Sequence, residues 1–180
     1  MSRSFWAFDS FSGLPKLVKL DKLGPLAKGK PGKFKASREE FVANLQDYGA
    51  YDSSVVSITS GLFRDTLPVS DVAHIAFLRL DGKLYEATWD SLIHLYEKVI
   101  PGGYVYVNDY YVYNGCRQAV DDFRELKGLT PTTASKSGTS SGADTSHINS
   151  LSHRQSYRPL HEVYDDWRGQ AVRGAVWWIK

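Results

Sequence analysis

The sequence predicts an α/β protein built on a largely parallel sheet and closed by an antiparallel pair of strands near the C-terminus. Two apolar runs carry the prediction. His74-Ile75-Ala76-Phe77-Leu78-Arg79-Leu80 ends at Asp81, and Gly103-Tyr104-Val105-Tyr106-Val107 ends at Asn108-Asp109. Runs of this length, rich in β-branched and aromatic residues and bounded by turn signals, read as buried strands. Between them Trp89, Leu92, Ile93, Tyr96 and Val99 recur at helical spacing, with Pro101-Gly102-Gly103 as a stop signal. In a strand-helix-strand unit the two strands run parallel, so both acidic ends emerge on one sheet edge, where ligands of open α/β sheets bind. Asp81, Asn108 and Asp109 are therefore expected to converge.

The other elements follow in order. Ser4 to Phe8 reads as the last part of a strand ending at Asp9, so the chain is expected to open inside an element. Lys16 to Lys35 holds seven lysines with Gly29, Pro31 and Gly32 in close succession, the pattern of an exposed, mobile loop. Ser37 and Glu40 have capping-box spacing, and Phe41, Val42, Leu45 and Tyr48 then share one helical face. Val55 to Ile58 predicts a strand, and Asp65-Thr66-Leu67-Pro68 a turn. A helix is expected from Cys116 to Leu126, with Ala119, Val120 and Phe123 inward. Residues 130–152 are dominated by Ser, Thr and Gly and read as a flexible insertion. Leu160 to Tyr164 and Val172 to Ile179 form the antiparallel pair, with one ring of Trp177-Trp178 on each face.

Composition limits the function. At 180 residues, with five Trp and eleven Tyr, the chain has room for one domain with a real core. A net charge of +2 says little about partners. The single cysteine, Cys116, rules out an internal disulfide and a Cys-rich zinc site, and reads as a buried structural thiol. No apolar run is long enough for a membrane span, and Met-Ser-Arg-Ser-Phe-Trp lacks a signal peptide's apolar region, so a cytoplasmic protein is expected. Nucleic-acid binding through the lysine loop is disfavoured, because only Phe34 interleaves the lysines.

Carboxylates and an amide at strand ends offer hard oxygen ligands, better suited to Mg²⁺ or Ca²⁺ than to zinc. The plain alternative is that these residues only cap strands and start loops. His74 reads as a core or edge histidine within its strand, and His94 as exposed or half-buried on its helix. His147, His153 and His161 fall in or near the insertion.

Several longer blocks narrow the choice. Phe8-Asp9-Ser10-Phe11-Ser12-Gly13-Leu14-Pro15, Gly61-Leu62-Phe63-Arg64-Asp65-Thr66-Leu67-Pro68, Leu78-Arg79-Leu80-Asp81-Gly82-Lys83-Leu84-Tyr85-Glu86, Gly102 to Tyr110 and Gly115 to Arg124 resemble, in order, the macrocin O-methyltransferase (TylF-type) family. The resemblance implies an incomplete Rossmann-like class I methyltransferase sheet flanked by helices. It also implies an S-adenosylmethionine- and Mg²⁺-dependent O-methyltransferase that acts on a hydroxyl of a sugar or natural product. Carried over by residue, Asp9 with Ser10 beside it, Gly61 and Phe63 would contact the cofactor. Asp81 would be catalytic base or metal ligand, and Asn108 and Asp109 would join it around the metal.

Departures from the family pattern accompany the likeness. Lys83 stands where the family has the second aspartate of Asp-Gly-Asp, and Asn108 where it has the first of Asp-Asp. Asn can still offer a carbonyl oxygen. An inward Lys83 would repel a metal ion, or could replace it as a fixed positive charge or, with a depressed pKa, act as a base. The resemblance further leads us to expect that the family's first strand and glycine turn are missing, so that the two strands beside the gap either close up on each other or receive the missing segment from elsewhere; a homo-oligomer or a complementing segment is the expected partner. A non-catalytic partner-binding remnant is the alternative to an enzyme.

Overall fold

The computed structural model describes residues 3–18, 21, 29–129, 160–167 and 170–180. The expected insertion, His147, His153 and much of the lysine-rich segment lie outside the described residues.

Among the described residues six strands form two separate pieces of sheet. β1 (Phe5–Asp9) pairs in parallel with β2 (Val56–Ser60), from Phe5 opposite Val56 to Asp9 opposite Ser60. The larger piece has the order β3-β4-β6-β5, where β3 is Ile75–Leu80, β4 Val99–Val107, β5 His161–Trp167 and β6 Gln170–Ile179. β3 and β4 run parallel, while β6 is antiparallel to both β4 and β5, which is the expected C-terminal pair. Among the described residues β1 and β3 are each paired on one side only. On β3 the residues of one face, Leu78 and Leu80, are buried, while Phe77 on the opposite face is 59% exposed; Phe5 on β1 is 51% exposed.

Helices tie the pieces together. α1 (Arg38–Asp47) opens with the expected capping box, Ser37 Oγ accepting from Glu40 N–H and the Glu40 carboxylate accepting from Ser37 N–H. Its apolar face is only half covered, and Tyr48 is exposed. A short α2 (Phe63–Thr66) replaces the loop-and-turn reading of that segment, and Phe63 and Phe8 pack onto the main core. α3 (Tyr85–Leu95) runs into a 3-10 turn, Tyr96–Lys98, and α4 spans Asn114–Leu126.

The core lies where α3, α4 and the larger sheet meet. Tyr96 crosses Phe123 edge-on at a centroid distance of 5.0 Å and lies 6.4 Å from Trp178. Trp178, Phe123, Leu92, Val105 and Val120 are fully buried. Trp178 points inward and Trp177 lies half-buried against His161, their rings stacked at 4.1 Å.

Two local expectations are corrected. Pro101-Gly102-Gly103 does not separate helix from strand but lies within β4 as an irregularity: Ile75 faces Val99, yet Phe77 faces Tyr104. Gly102 takes a φ of 80° there, and the bulge is held by bonds to Lys180 from both directions. His74 lies just before β3, exposed rather than in the core.

Candidate active site

Parallel register brings the acidic residues together. Leu80 faces Val107 as the last pair of β3 and β4, and Asn108 N–H continues the ladder to Leu80 O at 2.9 Å. Asp81 and Asn108 therefore leave the sheet side by side, and Asp109 follows in a turn closed by Val112 and Tyr113 N–H on its carbonyl.

The group that joins them is Lys83. The chain doubles back through Gly82 and places Lys83 at a φ of 60°, a left-handed conformation uncommon for a long side chain. Its ammonium lies 2.6 Å from Asp81 Oδ1 and 3.1 Å from Asp109 Oδ2. Arg79 Nη2 holds the second Asp81 oxygen at 2.9 Å. Asn108 turns its Nδ2 amide toward Asp81 Oδ1 at 3.5 Å, while its Oδ1 accepts from Tyr106 Oη at 3.4 Å. The Phe34 ring stands 5.3 Å from the ammonium, so the end of the lysine-rich segment flanks the site.

The environment splits the two carboxylates. Burial raises the pKa of Asp109 to about 6, helped by its contact with Asp81 and opposed by Lys83. Burial also pushes Asp81 up, but hydrogen bonds with Asp109 and Lys83 and the charges of Lys83 and Arg79 outweigh it, so Asp81 ends below the ordinary carboxylate value. For Lys83, burial favours the neutral amine, yet the bonds and charges of Asp81 and Asp109 raise its pKa above that of a free lysine. The shift favours the ammonium form of Lys83, opposite to the depressed pKa that a lysine base would need.

The expected cofactor residues cluster at the ends of β1 and β2. Asp9 Oδ1 accepts from Phe11 N–H at 2.7 Å, Ser10 Oγ donates to Gly13 O at 3.1 Å, and Gly61 N–H donates to Asp9 O at 2.9 Å. Gly61 has a φ of 148°, and a Cβ there would lie 2.7 Å from the Thr66 methyl, so glycine is needed. Phe63 is half-buried at the start of α2.

Asp21 escaped sequence reasoning. It sits in a segment read as loop, yet it is buried and caps α3 through Tyr85 N–H at 2.8 Å. No short-range pattern signals a contact between residues 64 apart in sequence.

Two pieces of parallel strand, an antiparallel C-terminal pair, flanking helices and polar residues at the strand ends together define an incomplete class I methyltransferase fold. The chain belongs to the macrocin-O-methyltransferase (TylF) family, whose model matches residues 1–136. It is similar to the demethyldecarbamoylnovobiocin O-methyltransferase of Streptomyces niveus, 39% identical over 68% of this chain and 47% of that one. It is also similar to a tetracenomycin rhamnosyl 4'-O-methyltransferase of Streptomyces olivaceus, 35% identical over 77% and 53% of the two chains. The mycinamicin III 3''-O-methyltransferase of Micromonospora griseorubida is 32% identical over 71% and 52%. The chain thus spans about half the length of these curated relatives.

The solved structure of the O-methyltransferase NovP matches all of this chain and 61% of its own, with a TM-score of 0.68 and 28% identity. Calicheamicin methyltransferase CalS11 matches 71% of this chain and 53% of its own at a TM-score of 0.53 and 22% identity, a likeness of fold alone. Among the described residues no helix is long and apolar enough to cross a membrane.

Proposed function

We propose that this chain carries the acceptor side of an S-adenosylmethionine-dependent O-methyltransferase, with a hydroxyl of a sugar or other small natural product as acceptor. The observation that carries the reading is the Asp81–Lys83–Asp109 cluster at the ends of two parallel strands, in a chain of this family. The cofactor, when bound, supplies a methyl group on a sulfonium centre. Asp9, Ser10, Gly61 and Phe63 fit such a ligand: carboxylate and hydroxyl for sugar hydroxyls, a glycine permitting close approach, and an aromatic ring for a base.

At the acceptor side the residues divide the work. Asp109 has the higher proton affinity of the two carboxylates and takes the hydroxyl proton, since a base is most effective with a pKa near the working pH. Asp81, with both oxygens held by cations, orients Lys83. The Lys83 ammonium stabilises negative charge growing on the acceptor oxygen.

Mg²⁺, which the family resemblance implies, would draw on Asp81, Asn108 and Asp109. This donor set does not fit the ion as folded, because the Lys83 ammonium bridges two of the three and Asn108 turns its amide nitrogen to the pair. No step is therefore routed through a metal.

A second reading, a non-catalytic partner-binding remnant, is favoured by the one-sided pairing of β1 and β3. Calorimetric titration of the 180-residue chain with S-adenosylmethionine separates the two. Saturable heat, lost in Gly61→Val, supports the enzyme reading. A flat titration of folded protein overturns it and leaves the second.

A further inference from the structure

We propose that Lys83 is a tethered cation standing in for a divalent metal ion at the ends of β3 and β4, so that this site is assembled without one. The inference deepens the reading above and rests on it only for the acceptor oxygen that the cation would meet. Nζ lies 2.6 Å from Asp81 Oδ1 and 3.1 Å from Asp109 Oδ2, the place from which a small ion would draw both carboxylates. An ammonium and Mg²⁺ cannot share it. Octahedral Mg²⁺ requires oxygen atoms at about 2.0–2.1 Å in every direction, and a charged nitrogen in that shell can only repel it.

The neighbouring groups are arranged for the ammonium. Asn108 offers Asp81 its amide nitrogen and sends its carbonyl oxygen to Tyr106 Oη. Arg79 occupies the Asp81 oxygen that Lys83 leaves. Among the described residues no group of three or more His, Cys, Asp or Glu is placed to hold a metal. The Lys83 side chain is 19% exposed, with Phe34 flanking it, so it is held in the site rather than trailing in water.

The arrangement can do part of what a metal does. An ammonium has three N–H donors; among the described residues two are engaged by carboxylates, and the third would meet the oxygen of a bound hydroxyl. That oxygen would be polarised by a single positive charge, and the proton would pass to Asp109. The substrate class is unchanged, but the requirement for a divalent ion disappears.

The test is metal binding by the full chain, read from the free Mn²⁺ signal in electron paramagnetic resonance. Lys83→Asp removes the ammonium, adds a carboxylate and suits the left-handed backbone, which Asp tolerates well. The native chain is expected to show no saturable Mn²⁺ site, and Lys83→Asp to bind one equivalent at least tenfold more tightly, with Mg²⁺ competing. Lys83→Asn, which removes the ammonium without adding a carboxylate, guards against misfolding of the aspartate variant and is expected to gain binding in the same direction. Stoichiometric Mn²⁺ binding by the native chain, or no gain in either folded variant, overturns the proposal. Calorimetry with S-adenosylmethionine on the same native sample reports separately on the methyltransferase reading, so the two can fail independently.

Discussion

Asp21 Oδ1 accepts the N–H of Tyr85, the first residue of α3, at 2.8 Å, and its Oδ2 accepts Val18 N–H at the same distance. Leu84, the N-cap residue of α3, supplies no side-chain bond of its own. A distant carboxylate therefore satisfies one of the donors every helix start leaves open, and its negative charge suits the helix dipole. Replacing Asp21 with Ala should cost about 1 kcal/mol, read as a fall in melting temperature of roughly 2–4 °C for a chain of this size. An unchanged melt would show that the bond contributes nothing net.

Gly115, in the first turn of α4, lies against this contact. A Cβ there would stand 3.0 Å from Tyr85 N and 3.3 Å from Asp21 Cα, both backbone atoms that cannot simply swing away. Alanine would ordinarily favour a helix by up to about 1 kcal/mol over glycine, but overpacking of this kind costs roughly 1–3 kcal/mol. Gly115→Ala should therefore destabilise the chain. In a double-mutant cycle by urea unfolding, its loss and that of Asp21→Ala should sum to more than the double variant shows, because both break one contact.

The sequence disclosed what depends on short-range pattern and hid what depends on distant partners. Ser37 and Glu40 announced their capping box, and Trp177 and Trp178 their opposite faces, because spacing alone decides these. Asp81, Asn108 and Asp109 could be brought together from strand ends and parallel pairing. The conformation of Lys83 at φ 60° was not readable, since nothing in Gly82-Lys83-Leu84 shows whether the side chain turns in or out. Nor was Asp21, whose partner is set by packing of α3 and α4. Phe77 was misjudged for another reason: it lies on the face of β3 opposite Leu78 and Leu80, and an apolar strand residue is buried only where its own face is covered.

The acid pair also sets a pH dependence. Asp109 has a folded pKa of about 6 against an unfolded value of about 3.9. Between these values the folded state binds a proton that the unfolded state does not, so acidification through this window favours the fold. Asp81, shifted down, contributes stability above its unfolded pKa that is lost as pH falls through its folded one. Lys83, shifted up, contributes below its unfolded pKa and loses it in strong alkali. Urea unfolding of the native chain and Asp109→Asn, compared at about pH 5 and 7, should show the native chain gaining relative to the variant at the lower pH. A constant difference would contradict the assignment.

Cys116 should be chemically silent. Its thiol is buried under α4, and burial raises its pKa to about 12, so at neutral pH the thiolate is roughly a thousandfold scarcer than for an ordinary cysteine. Native protein should resist a thiol-reactive disulfide reagent until denaturant is added, after which one thiol per chain should react. Prompt labelling without denaturant would mean that the core opens around α4 far more readily than its packing implies.

The edge of β3 is open to a further strand. Among the described residues this strand pairs only with β4, and Phe77 stands 59% exposed, its ring 6.4 Å from that of Tyr106. A row of unpaired backbone groups beside an exposed aromatic is a template for another strand, whether from a second copy or from a different chain. Sedimentation of the native chain should therefore reveal concentration-dependent association. Phe77→Lys should reduce it, because a charge on an edge strand resists strand addition, and the melting temperature should change little, because Phe77 contributes little buried area. The equivalent change at the exposed β4 position Tyr104 is the control: it introduces the same charge on a strand already paired on both sides, by β3 and β6. If Tyr104→Lys reduces association as much as Phe77→Lys does, surface charge rather than the open edge governs self-association.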